Sequence, residues 1–128
     1  MLSHDIRELV DSVVDAARDK KAFQLVTLDV TEMTSIADSF IICSGSSDRQ
    51  VDAIASNVIR RLRDRGRRPL HVEGSGASGW ILVDYGDLVT HVFTEEKRSY
   101  YALDGLWSGA ERIDAGTPAP DRGTDSTR

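Results

Sequence analysis

Residues 80–93 constrain the fold more than any other part of the chain. Trp80-Ile81-Leu82-Val83-Asp84-Tyr85 and Leu88-Val89-Thr90-His91-Val92-Phe93 flank the pair Gly86-Asp87, so two strands joined by a tight turn are expected. A strand with one wet face alternates apolar with polar side chains, whereas these two runs are almost continuously apolar. Both faces of their sheet must therefore be covered, by helix, loop or a partner.

The segments upstream supply such cover. Over residues 5–20, Ile6, Leu9, Val10, Val13 and Ala17 recur at helical spacing among charged Arg7, Glu8, Asp11, Asp15 and Arg18, which predicts an amphipathic helix. Residues 23–28 and 39–43 read as strands from their β-branched and aromatic content. Ser47 followed by Gln50 matches a capping box: the hydroxyl accepts from a helix N–H and the amide reaches back. The stripe Val51, Ile54, Ala55, Val58 and Leu62 then keeps one helix face apolar until Gly66, with Pro69 preventing continuation.

Residues 70–73 form a short third strand. Strand, helix and strand here predict a right-handed crossover, with 39–43 and 70–73 paired in parallel. The connection 74–79 is rich in Gly and Ser. Thr94 can cap a last helix, with Glu95 and Glu96 in its first turn, reaching about Trp107. Beyond it, residues 108–128 hold few large apolar side chains but Gly109, Gly116, Gly123, Pro118 and Pro120, and a disordered tail is expected. The fold class is thus α/β, a mixed sheet of about five strands with packed helices in one domain over residues 1–107.

A chain of 128 residues, 40% hydrophobic, suffices for one modest core but not for two. It has no run of ~20 apolar residues to span a membrane, and MLSHDIREL has neither a basic leader nor an apolar signal region. A cytoplasmic location is expected. The formal charge of -5 is unevenly spread. Residues 60–68 carry Arg60, Arg61, Arg63, Arg65, Arg67 and Arg68 against Asp64, which is +5 and leaves -10 elsewhere. Most of the surface should repel phosphates and suit a basic protein partner, with this cluster as a candidate local RNA contact. Cations at a helix end are also what the helix dipole favours.

No constellation of catalytic residues stands out. Ser44-Gly45-Ser46-Ser47 leaves a strand and opens a helix, as a phosphate-binding turn would. Nucleotidyl transfer also requires two or three carboxylates around divalent metal. Asp48 and Asp52 lie a turn apart inside the helix, while Asp84 and Asp87 flank a turn that aspartates form by themselves. His71 and His91 lack a second ligand at metal-binding spacing. Cys43, the sole cysteine, sits in an apolar run where a thiol is not activated. Gly74-x-Gly76-x-x-Gly79 precedes a strand, not the helix a dinucleotide loop requires. No metal and no cofactor are expected.

The conspicuous residues are aromatic: Trp80, Tyr85, Tyr100, Tyr101 and Trp107, the kind that dominates binding hot spots. Tyr100, Leu103 and Trp107 share one helical stripe, and Tyr101 is displaced from it. Strand parity divides Trp80, Leu82 and Asp84 from Ile81, Val83 and Tyr85. The expected partner-binding residues are Trp80, Leu82 and Asp84, the turn residues Tyr85 and Asp87, and Tyr101.

Several blocks carry a family resemblance. Ala37-Asp38-Ser39-Phe40 with Ile41-Ile42-Cys43-Ser44-Gly45-Ser46-Ser47-Asp48-Arg49-Gln50-Val51, then Val72-Glu73-Gly74, residues 80–89 and His91-Val92-Phe93 resemble the Iojap-type ribosomal silencing factors. Glu95, Arg98, Tyr101, Leu103, Leu106 and Trp107 are similar to that family's closing Tyr-x-Leu-x-x-Leu-Trp helix. The likeness spans residues 5–107, with no counterpart for the tail. It implies a mixed-sheet fold related to the nucleotidyltransferases and binding to large-subunit ribosomal protein number fourteen. It also implies steric exclusion of the small subunit, translational repression under nutrient limitation, and a homodimer off the ribosome. The alternatives are a nucleotidyltransferase-like enzyme and a general dimeric adaptor.

Overall fold

The computed structural model describes residues 2–101 and 111–112, with Tyr100, Tyr101, Glu111 and Arg112 as backbone only. Helix α1 (His4–Asp19) starts where the Ser3 hydroxyl accepts from the Ile6 N–H. Strands β1 (Phe23–Asp29) and β2 (Ser39–Gly45) follow, then α2 (Asp48–Asp64), β3 (His71–Ser75), a 3-10 turn at Gly76–Ser78, β4 (Trp80–Asp84), β5 (Leu88–Thr94), α3 (Glu95–Tyr101) and the two-residue β6 (Glu111–Arg112). The helix ends are those expected from sequence. Ser47 caps α2 by accepting from Gln50 N, and Gly66, with φ +80°, lies just past its C-terminus. The last helix is described to Tyr101; its expected extension to Trp107 lies outside the described residues.

The sheet order is β3-β4-β5-β2-β1-β6. Trp80–Asp84 and Leu88–Thr94 do pair as an antiparallel hairpin, Trp80 opposite Phe93 and Asp84 opposite Val89. The parallel partner of β2, however, is β5, from Ser39↔Leu88 to Gly45↔Thr94. The expected pairing of 39–43 with 70–73 is thus corrected: β3 runs in the same direction as β2 but lies three positions away, at the sheet edge. Burial explains the order. Leu88 to Phe93 are buried throughout, whereas every residue of β3 is exposed, so the most apolar strand takes the centre. Within the segment expected to be tail, Glu111–Arg112 pair with β1 at Asp29 and Leu28.

Helices α1 and α2 cover one face of the sheet, where Val10, Val13, Val51, Ile54, Val58 and Leu62 pack on Ile41, Cys43, Val83, Leu88 and Val92. Each fully buried aliphatic side chain contributes about 1.5–3 kcal/mol against exposure. The opposite face holds a smaller cluster, Leu28, Val30, Ile42 and Phe93, with Val26, Phe40 and Trp80 packed against it.

Polar contacts then register the two helices. Asn57, buried in α2, donates from Nδ2 to the Ala16 carbonyl at 2.8 Å. Arg61 bridges Asp15, at 2.6 Å, and Asp19, while Arg65 reaches Glu8 at 3.2 Å. Two of the six arginines of the cluster, Arg61 and Arg65, are therefore engaged with the acidic flank of α1. Arg63 and Arg68 are exposed, with no ion pair among the described residues.

The turn between β3 and β4 is locked onto α2. Gly76 N donates to Asp52 Oδ1 at 2.8 Å, and a Cβ on Gly76 would stand 2.0 Å from the Asp48 carbonyl oxygen. At Gly74 the backbone adopts φ +88°, and a Cβ there would stand 2.0 Å from the Trp80 carbonyl oxygen. Only glycine meets both demands.

Candidate partner-binding surface

The parity of β4 decides what faces outward. Ile81 and Val83 are buried beneath the helices, while Trp80, Leu82 and Asp84 are half-buried on the opposite face. The expected row of three is thus brought together. Their cross-strand neighbours on β5 are Phe93, His91 and Val89; on β3 they are Ser75, Glu73 and His71. Glu73, Gly74, Ser78, Trp80 and Leu82 line a shallow hollow of about 170 Å³.

Trp80 is held on that face by aromatic contacts. Its indole stacks on Phe93 with centroids 5.0 Å apart, and its Nε1 donates to His91 Nδ1 at 3.2 Å. His91 also meets the edge of Phe40 at 5.4 Å. Burial lowers the His91 pKa to about 4, against a smaller opposing pull from Asp84. The ring is neutral at pH 7, and Nδ1 is its acceptor nitrogen.

The turn residues divide. Asp84 Oδ1 accepts from Gly86 N at 2.7 Å, closing the turn between β4 and β5, and Asp87 pairs with Arg67 at 3.0 Å. Tyr85 does not belong with the surface: it is 4% exposed and packs in the helix-side core, beside Ile81 and Val83 in parity. This corrects its expected role as a contact residue. Burial pushes its hydroxyl up to about 12, despite the Arg67 guanidinium 5.9 Å above the ring. Tyr101 lies at the end of α3, and its side chain is outside the described residues.

Sequence reasoning passes over four exposed apolar residues: Met33, Ile36, Leu70 and Val72. Leu70 and Val72 are detectable, because Leu70-His71-Val72-Glu73 is a strict apolar–polar alternation, the mark of a strand with a wet side. Ile36, 82% exposed, stands alone in a polar connection, with no periodicity to set it apart.

The groups that invite a chemical reading have structural occupations. At the Gly45–Ser46 turn, Gln50 Oε1 accepts from both Ser46 N, at 2.5 Å, and Ser46 Oγ, at 2.7 Å, so the turn amide already has its acceptor. The reach-back falls one residue earlier than a standard capping box, which would use Ser47 N. Asp52 holds Gly76, and Cys43 is fully buried with its thiol pushed up to about 12 by burial. Such a thiol stays protonated and unreactive.

Comparison with known proteins agrees with this arrangement. The sequence profile of the family described as "Ribosomal silencing factor during starvation" matches residues 3–128. The chain belongs to this family. The ribosomal silencing factor of Halalkalibacterium halodurans is 40% identical over 108 residues, 84% of this chain and 92% of that one. The chloroplastic Iojap protein of Zea mays is 32% identical over 106 residues, 80% of this chain but 45% of the longer plant protein. A crystal structure of a Chromobacterium violaceum protein superposes with a TM-score of 0.78 at 33% identity, covering 89% of this chain and 94% of that one. The silencing-factor profile also takes in the segment after Trp107, for which the sequence blocks offered no counterpart. The Halalkalibacterium relative bears the name of a silencing factor, and the Iojap resemblance read over residues 5–107 is a true relationship.

Proposed function

We propose that this chain docks on the large ribosomal subunit through its protein number fourteen and excludes the small subunit by occupying the face where the two would meet. The observation that carries the reading is the row Trp80, Leu82 and Asp84: an aromatic anchor, an aliphatic neighbour and a carboxylate on one sheet face. An apolar centre with acidic flanks suits a basic protein surface. Asp87 lies at the end of the row, and Tyr101 is retained as a contact from α3; Tyr85 acts beneath the surface.

The mechanism is occlusion, with no chemical step, and it lowers translation when nutrients are scarce. Arg63 and Arg68 are the members of the basic cluster available for a local ribosomal RNA contact. Among the described residues no helix is long and apolar enough to cross a membrane. The proposed site of action is the cytoplasm. Off the ribosome the chain self-associates.

The decisive experiment is co-sedimentation with purified large subunits, together with light scattering of subunit association. The protein is expected in the large-subunit fraction and to reduce association, and Trp80→Ala to weaken both. Unaltered subunit association at saturating protein would sink the proposal.

A further inference from the structure

The outward face of α2 collects cations that no carboxylate neutralises. Arg49, Ala53, Ser56, Arg60 and Arg63 follow one another at intervals of four, three, four and three residues, which sets them in one arc of roughly 80°. That arc lies opposite Val51, Ile54, Val58 and Leu62, which are buried against the sheet. Arg49, Arg60 and Arg63 are exposed, with no ion pair among the described residues. Beside them, Lys20, Ala53, Ser56, Asn57 and Arg60 line a hollow of about 220 Å³. Asp19, next to Lys20 in the chain, is taken up by Arg61.

Arg60 is positioned here without being neutralised. Its Nη2 donates to Asn57 Oδ1, and Asn57, 4% exposed, is itself fixed by the bond from its Nδ2 to the Ala16 carbonyl at 2.8 Å. An amide carries no charge, so the guanidinium keeps its own, together with its remaining donors. A held arginine, a lysine and a serine hydroxyl around one hollow are the donors that contact phosphate oxygens.

We propose that this hollow takes a phosphate of an RNA backbone. No aromatic side chain lines it, so a nucleoside would find nothing to stack on. Arg49 and Arg63 extend the positive line over about 21 Å of helix, longer than any single phosphate and suited to successive phosphates of a strand. With a formal charge of -5 overall, the rest of the surface repels RNA and confines the contact to this face. Such a contact positions RNA without reading its sequence. The row Trp80, Leu82 and Asp84 lies on the opposite face of the sheet from the helices, so the chain can hold protein and RNA at once. The proposal gives the RNA contact of the docking reading a defined place and rests on that reading only for which RNA is met. Its test requires no ribosome, so the two fail separately.

The test is fluorescence anisotropy of a labelled RNA duplex of arbitrary sequence, titrated with the full chain. Affinity is expected to fall roughly 40-fold between about 50 and 200 mM salt, as three phosphate contacts require. Lys20→Gln and Arg60→Gln should each weaken binding roughly ten-fold at the lower salt and reduce the salt slope by about one. Ser56→Asp, which sets a carboxylate in the hollow, should abolish binding. Arg7→Gln removes the same charge about 20 Å away along α1 and should leave binding nearly unchanged. The four positions are exposed, and unchanged thermal midpoints will confirm that the variants fold. A chain that binds no RNA at the lower salt would overturn the proposal. So would equal losses in Arg7→Gln and Arg60→Gln, which reduce the effect to net charge. A thermal midpoint raised by inorganic phosphate in a chain that binds no RNA would overturn the choice of RNA.

Discussion

Trp80 Nε1 donates to His91 Nδ1 at 3.2 Å, which couples the outermost aromatic of the candidate docking row to a buried histidine in the centre of the sheet. The bond requires His91 to be neutral at Nδ1, and burial enforces this by lowering its pKa to about 4. Protonation would convert the acceptor into a donor facing another donor.

Stability should therefore fall on mild acidification. The His91 pKa is depressed in the fold, from 6.5 to about 4, so between those values the unfolded chain binds the proton and the folded chain does not. The contribution is complete above pH 6.5 and is lost as pH falls toward 4, reaching on the order of 3 kcal/mol. Carboxylates titrate in the lower part of this window, so the comparison is with His91→Gln, which keeps an acceptor but cannot titrate. Urea unfolding at pH 7 and pH 5.5 should show a smaller loss in the variant. Equal losses would refute the assignment.

Trp80→Phe separates packing from hydrogen bonding. Phenylalanine can still stack on Phe93 but leaves the buried Nδ1 of His91 without its donor, at a cost of about 1–3 kcal/mol. Trp80→Ala loses the stacking as well and should cost more. Large-subunit binding is expected to survive in the phenylalanine variant and fail in the alanine variant. Equal binding by both would show that the indole face is not the contact.

Much of this surface is legible in the order of residues alone. Period-two parity separates Trp80, Leu82 and Asp84 from Ile81, Val83 and Tyr85, because one pleat fixes six side chains at once. The same rule puts Tyr85 with the buried set, yet its place beside Gly86-Asp87 lends it the look of a turn residue. Helix limits at Ser47 and Gly66 are equally legible, since caps act over three or four residues. Strand order is not. Whether β2 meets β3 or β5 depends on which strand can be buried on both faces, a comparison among segments far apart in the chain, Ser39 pairing with Leu88, that no local pattern encodes. Nor can residue spacing reveal that Arg61 and Arg65 are met by Asp15, Asp19 and Glu8 on α1.

Gly74→Ala, at the end of β3, is expected to be strongly damaging. The added methyl meets the Trp80 carbonyl oxygen at 2.0 Å, a contact with backbone that cannot rotate away, and φ +88° adds strain for any L side chain. A loss of about 2–4 kcal/mol is expected. Gly66→Ala is the control: it shares the positive φ, but its Cβ would meet nothing within 4 Å, so only the conformational cost of about 1 kcal/mol applies. Denaturant midpoints for the pair will test the difference. Similar losses would mean that the β3–β4 turn yields.

Gln50 closes the junction of α1, β1 and α2. Its Oε1 accepts from Ser46 N and Oγ, while its Nε2 donates to the carbonyls of Lys20 at 2.9 Å and Lys21 at 3.1 Å. Gln50→Ala should cost about 1–2 kcal/mol, the net worth of a small set of partly solvated bonds. Gln50→Glu is the sharper experiment, because two effects oppose. A carboxylate in the first turn of α2 gains about 0.5 kcal/mol from the helix dipole. It also loses both donor bonds and sets negative charge against two carbonyl oxygens, which outweighs that gain. The glutamate variant should therefore be less stable than the unaltered chain at pH 7, and should recover in part near pH 4, where a protonated carboxyl can donate again. A glutamate variant as stable as the unaltered chain at pH 7 would show that the bonds to Lys20 and Lys21 contribute nothing.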